Sequence, residues 1–270
     1  MPSLPPLAER QDLLGRARQW RGVWSLYVKE VRRFWSVFGQ TIAAPVGTSL
    51  LFLAVFTVAP GRSGTIVEGV PYEQFLAPGL AIMVMAQNAF ANTSSSIIIS
   101  KVQGNIVDLL LPPLSAGDIM IGMTVSGITR GVLVGVAAAS AMAVFVPLHL
   151  AHPGYMLFHG LAGCLMLSLL GIIGGIWSEK FDHIAAVTNF IVTPATFLSG
   201  SFYTIDRLPP LWQAVVRWNP FFYMIDGFRY GFIGAAEAPV VTGAIVMAAV
   251  DAALALVCYR MLYTGYKLKA

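Results

Sequence analysis

Residues 193–234 read TPATFLSGSFYTIDRLPPLWQAVVRWNPFFYMIDGFRYGFIG, and the course of the backbone through them decides the fold. Pro194, Pro209, Pro210 and Pro220 each remove a backbone donor and fix φ, so no single straight helix passes through. Pro209 and Pro210 open one short helix with Leu211, Val215 and Trp218 on a common face; Asn219 caps a second, with Pro220 at its first position. Each piece is about ten residues, hence roughly 15 Å, half the thickness of a bilayer core. Asp206, Arg207, Arg217, Asp226 and Arg229 lie among the apolar residues. Two half-helices dipping into a membrane edge and covered by protein fit this pattern, because lipid cannot satisfy broken backbone. An extramembrane loop carrying two surface helices is the alternative.

Outward from this stretch, the chain of 270 residues is 57% hydrophobic and 11% charged, where soluble domains carry about 25% charge. That is the composition of an integral membrane protein. The formal charge of +4 is too small to point to nucleic acid. Cys164 and Cys258 sit in apolar runs and read as small hydrophobes, without a disulfide framework or metal motif. No signal peptide is expected, since about forty arginine-rich residues precede the first long apolar run.

The hydropathy pattern predicts an all-α architecture of six spans over 40–59, 75–99, 119–146, 155–177, 184–200 and 240–259, with the broken half-helices between the fifth and sixth. Residues 1–39 precede this domain as a cytoplasmic start and an interfacial helix. There Trp20, Val23, Trp24, Tyr27, Val31, Phe34, Trp35 and Phe38 recur at helical spacing, with Lys29, Arg32, Arg33 and Ser36 mostly opposite, so aromatics meet headgroups and cations meet anionic lipid. The second span carries Gln87, Asn88, Asn92, Thr93, Ser94, Ser95 and Ser96, read as interhelical glue in preference to a transport path. Gly171 and Gly175 have the spacing of close helix pairs.

Six spans put both termini on one side. With that side cytoplasmic, Arg10, Arg16, Arg18, Arg21, Lys29, Arg32, Arg33, Lys101, Lys180, Arg260, Lys267 and Lys269 lie inside, and only Arg62, Arg207, Arg217 and Arg229 outside. Twelve against four is a positive-inside signal, and it turns the broken stretch to the exterior.

The chain has no G-x-x-x-x-G-K-[ST], H-E-x-x-H or G-x-S-x-G. Asp226-Gly227 has aromatic neighbours where a magnesium site needs further carboxylates, and His149, His152, His159 and His183 show no ligand spacing. Catalytic, cofactor and metal residues are therefore expected to be absent. Arg130 and Asp251 are the two ionisable groups deep in apolar sequence, where a charge costs at least about 2.5 to 3.5 kcal/mol, and they are candidates to pair with one another. In the broken stretch, Phe202, Tyr203, Trp212, Trp218, Phe221, Phe222 and Tyr223 form a candidate apolar plug for an external gate, braced by Asp226 and Arg229 three residues apart.

Between the second and third spans, Gln103-Gly104-Asn105 breaks the helix, Asn105 caps a new one, and Ile106, Leu109 and Leu110 form an apolar edge before Pro112 and Pro113. A short amphipathic helix in the cytosol lies on the membrane or fills a groove in a partner. The element from Gly104 to Ser115, together with Leu-Ser-Gly-x-Phe-Tyr, Leu-Pro-Pro, Asn-Pro and Asp-Gly-Phe-Arg-Tyr-Gly between Leu198 and Gly231, resembles the bacterial type-2 (ABC-2) exporter permeases. The resemblance covers nearly the whole chain and is strongest to the branch with multidrug-type and lipooligosaccharide (nodulation) export permeases.

The resemblance implies an inner-membrane homodimer with two copies of a separate ATPase subunit, which supplies the ATP and Mg site. Gly104, Asn105, Ile106, Asp108, Leu109, Leu110 and Leu111 are then the ATPase-coupling element, and the broken segment caps the gate. Family members often carry more acid around the coupling helix than Asp108 alone, and here Lys101 precedes it. The implied function is outward movement of a lipid-like, drug-like or glycan cargo, in contact with membrane lipids. A self-sufficient channel or secondary carrier is the alternative, disfavoured by the docking helix and by the lack of an internal repeat. An intramembrane enzyme is disfavoured because no polar constellation converges.

Overall fold

The computed structural model describes residues 7–58, 65–106 and 114–268, with side chains in the first helix from Trp20 onward. Its elements are helices, apart from one two-stranded hairpin. Among the described residues, five helical runs are long and apolar enough to cross a membrane: Gly39–Val58, Tyr72–Val102, Ala116–Ala143, Pro153–Trp177 and Val240–Thr264. The first opens with a π-turn, Gly39–Ala43, and continues as α2, Ala44–Val58. The others are α3, Tyr72–Val102; α4, Ala116–Ala143; α5, Pro153–Trp177; and α10, Val240–Thr264.

The central element is α3, whose most apolar window is 78% buried against 17% for the first and last spans. Its contact with α5 is tight because Gly171 and Gly175 face it: a Cβ on Gly171 would lie 2.1 Å from Thr93 Oγ1 and 2.6 Å from the Phe90 carbonyl. The small-residue pair of the sequence is thus a close helix contact. One apolar cluster, with Phe75, Leu76, Ile82, Met224 and Phe228, fills the end of the bundle at which α3 begins, and a second, with Leu26, Ile97, Ile119, Ile172 and Ile176, fills the opposite end.

The apolar stretch at 184–200 takes a composite form. It starts at α6, Phe181–Val187, passes through a π-turn, Thr188–Val192, and finishes as α7, Thr193–Leu198. Asp182, His183 and Asn189 dilute its apolarity, so it is not among the five. A hairpin, Ile66–Val67 and Val70–Pro71, stands in the connection between the first and second spans. Glu68 and Gly69 at its turn both have positive φ, 52° and 78°, as a type I′ turn demands.

The first helix, α1, Leu7–Trp35, divides its apolar residues. Val23, Leu26 and Phe34 are buried together with Glu30, while Trp20, Trp24, Trp35 and Phe38 stay exposed. Arg33 departs from the expected basic outer face. It forms an ion pair with Glu30 at 3.0 Å and donates to Ser95 Oγ at 3.0 Å and to the Asn92 carbonyl at 2.7 Å, anchoring α1 to α3. The polar strip of α3 supplies the acceptors, with Ser96 Oγ donating to Glu30 Oε1 at 2.8 Å.

Candidate functional site

Past Leu198 the chain leaves the bundle, makes a single 3-10 turn, Ile205–Arg207, and returns as α8, Pro210–Arg217, and α9, Pro220–Ile233. The prolines act as read: Pro210 and Pro220 stand at helix starts, and Asn219 Oδ1 accepts from the Phe221 N–H at 3.1 Å. Gly234, at φ 72°, ends α9.

Arg229 is the organiser of this cap. It is 2% exposed, its guanidinium lies 3.7 Å from the centre of the Phe75 ring, and Nη2 donates to the Gly200 carbonyl at 2.7 Å. Its acidic partner is Glu237 at 3.5 Å, in the loop after α9. The carboxylate of Asp226 accepts from the backbone N–H of Glu237 and Ala238 at 2.9 and 3.0 Å. Asp226 and Arg229 therefore brace the cap through residue 237, where a direct brace was expected. Glu237 Oε2 also accepts from the Ile205 N–H at 2.5 Å, which ties the loop back to the 3-10 turn. Burial pushes the Glu237 carboxyl up to about 7, partly offset by the Ile205 donor and by Arg229. Sequence reasoning missed Glu237; its one signal was an acid three residues after the helix-stopping Gly234.

The candidate plug divides. Phe202, Phe221 and Phe222 are buried, and Tyr203 and Tyr223 half-buried. Phe202 packs on Phe56 and Phe197, with ring centres at 4.8 and 5.1 Å, while the Tyr72 hydroxyl donates to its carbonyl at 2.9 Å. Trp212 and Trp218, by contrast, are exposed, with Leu211 and Val215 beside them on the outer face of α8.

A second feature lies between α3 and the Phe181–Leu198 run. There a cleft of about 340 Å³ is lined by Gln87, Asn88, Ser94 and Ser95 on one side and Ile184 and Thr188 on the other. On the far side of that run an apolar groove of about 330 Å³ is lined by Leu170, Ile173, Trp177 and Ile191, sharing Phe90 and Val192 with the cleft.

Arg130 and Asp251 are not brought together. Arg130 Nη2 donates to Asn88 Oδ1 at 3.3 Å, and the Asp251 carboxylate makes no ion pair among the described residues. The reason is packing: α10 lies mainly on α5 and α9, whereas Arg130 on α4 turns to α3.

At the opposite end, Gly104 has φ 73° and terminates α3, Asn105 is exposed and Ile106 is buried in the second apolar cluster. Asp108, Leu109, Leu110 and Leu111 lie outside the described residues. The chain re-enters at Ser115, which forms a reciprocal cap with Asp118 at the start of α4. Lys101 Nζ donates to the Ile176 and Ser178 carbonyls at 2.7 and 2.5 Å, closing the C-terminal end of α5.

With this arrangement in place, residues 21–233 match the family described as ABC-2 type transporter. The chain belongs to that family. The matched stretch of this ABC-2 protein takes in the α3 strip, the cleft and the cap, and ends just before Gly234. The chain is 35% identical over 251 residues to the inner membrane transport permease YadH of Escherichia coli K12, covering 93% of this chain and 98% of the relative. It is 27% identical over 170 residues to nodulation protein J of Rhizobium leguminosarum bv. viciae, 62% of this chain and 65% of that one. The same protein of Rhizobium meliloti strain 1021 is 27% identical over 174 residues, 62% and 64% of the two chains. The family read from residues 104–115 together with residues 198–231 is thus the one found, and the chain is a multi-pass inner-membrane ABC-2 transport permease.

Proposed function

We propose that this permease is the membrane subunit of an ATP-driven exporter that works as a pair of identical chains with two cytosolic ATPase subunits, in which ATP and Mg are bound. The observation that carries the reading is the break between α3 and α4. Gly104 leaves α3 in a left-handed conformation, Ile106 and Leu114 pack into the apolar cluster at that end of the bundle, and Ser115 caps α4, so the residues on either side of 107–113 are anchored to the bundle and a push applied between them would reach both helices. The chain has no P-loop of its own, so uphill transport by ATP requires that a partner push on it.

In this reading 105–111 is the coupling helix, Phe181–Leu198 is the fifth of six crossings, and both termini are cytoplasmic, as the basic residues favour. The cap of α8 and α9 closes the outward end beside the second copy, with Trp212 and Trp218 in the headgroup region. The α3 strip and its cleft offer hydrogen bonds to a cargo with a polar part, which favours a lipid-like or glycan-bearing molecule. Co-expression with an ATPase of the cassette type tests the reading. The two proteins are expected to purify together in equal amounts and to move cargo only with ATP. A chain that purifies alone and transports without ATP is the contrary result.

A further inference from the structure

Halfway along α4, Arg130 presents a charge at membrane depth for which the protein supplies no acid among its described residues. Its contact is with the neutral Asn88, and its Nε has no hydrogen-bond partner. An uncompensated cation at that depth is costly, and a counter-charge supplied from elsewhere offsets part of that cost. Asn88 is itself a wall of the cleft, so the guanidinium stands one hydrogen bond behind the cleft surface. A second wall residue, Ser95, is backed in the same way by Arg33. Glu30 balances Arg33, and the strip keeps one net positive charge.

The two cavities around Phe181–Leu198 differ in chemistry. The cleft has an amide, a hydroxyl and cationic backing, while the groove beyond Phe90 and Val192 is apolar. Each is about the size of small-molecule sites, which start near 300 Å³. A molecule straddling Phe90 and Val192 places a charged head in one and a hydrocarbon chain in the other.

We infer that the cleft and groove together bind an anionic amphiphile, with a phosphate or carboxylate head held at Gln87, Asn88 and Thr188 under the charge of Arg130 and its chain laid against Ile173 and Ile191. This deepens the exporter reading and rests on it for the claim that the ligand is cargo.

The test uses full-length protein in neutral detergent with a Gln87→Cys substitution, since the native Cys164 and Cys258 are buried. Dodecyl phosphate, zwitterionic dodecyl phosphocholine and inorganic phosphate are compared as protectants of that thiol against a maleimide. Dodecyl phosphate is expected to protect at about 10- to 100-fold lower concentration than the other two, the range of one unit charge acting across one intervening side chain. Arg130→Gln removes the difference between the dodecyl compounds and Arg130→Lys keeps it. Equal protection by the two dodecyl compounds, a preference that survives Arg130→Gln, or protection by inorganic phosphate at the same concentration overturns the inference. Should Arg130→Gln fail to fold, Thr188→Leu fills the cleft from its other wall with Arg130 intact. Protection is then expected to weaken by a similar factor, and an unchanged value overturns the site. ATPase co-purification is scored on the same preparations. Its loss with protection intact counts against the exporter reading alone, and the reverse counts against this site alone.

Discussion

Arg229 joins three separate pieces of chain, through Phe75 of α3, Gly200 of the linker and Glu237 of the loop beyond α9. Replacing it with Met leaves Glu237 buried without its cation, and breaking such a pair costs about 3 kcal/mol or more. The thermal midpoint of Arg229→Met in detergent is expected to fall accordingly, and to fall further as pH rises, because Glu237 then ionises with no partner. In the wild type Glu237 is already raised, to about 7 from an ordinary 4.5. A raised carboxyl favours the fold while protonated. That contribution is full below pH 4.5 and lost as pH climbs through about 7, and Glu237→Gln flattens this part of the pH–stability curve. An unchanged curve in Glu237→Gln means that another group titrates. The Asp226 and Arg229 positions were legible because both sit in an apolar helix where a charge needs a purpose. Glu237 was not, because nothing in Ala-Ala-Glu-Ala-Pro tells that the loop folds back over Asp226. The Arg130–Asp251 pairing failed for a related reason: hydropathy gives depth along a helix but not the direction a side chain faces.

Helix existence followed from hydropathy, but the way each helix spends its faces did not. In α1 the aromatic series was read as one face, yet Val23 and Phe34 turn inward and Trp20 and Trp24 outward, since Arg33 pulls the helix onto α3. The π-turn at Thr188–Val192 has no periodic signature in sequence, which hid the composite form of that run. Glycine spacing was informative where two helices touch. Gly171→Leu forces side-chain atoms into Thr93 and the Phe90 carbonyl and is expected to destabilise the α3–α5 contact by about 1 to 3 kcal/mol or more. Gly47, within α2, has nothing within 4 Å of its Cβ position, so Gly47→Ala is expected to be neutral or stabilising by up to about 1 kcal/mol. Thermal unfolding of both variants in the same detergent checks the contrast; equal effects would mean that α3 and α5 do not pack as described.

At the scale of the molecule, the cap at one end and the α3–α4 break at the other are joined by α3, which carries Phe75 under Arg229 at its start and Gly104 at its finish. A single buried helix therefore links the two ends. The orientation proposed here predicts that a cysteine at position 207 reacts with an impermeant thiol reagent from the outside only; labelling confined to the inside reverses the topology. Membrane class and family were legible because composition and the proline-rich stretch are dictated by lipid. The cleft beside α3 was not, because its walls come from residues about a hundred positions apart, such as Gln87 and Thr188. The central claim is that residues 105–111 pass an ATPase subunit's motion to this chain. Burying one leucine is worth about 1.5 to 3 kcal/mol, so Leu109→Ala with Leu110→Ala is expected to weaken ATPase binding by about two to four decades. The measurement is the affinity of the purified permease for its ATPase, wild type against this double variant, with membrane insertion and thermal midpoint as controls. Lost binding and transport with an unchanged membrane fold are expected, whereas unchanged affinity and normal transport contradict the coupling role.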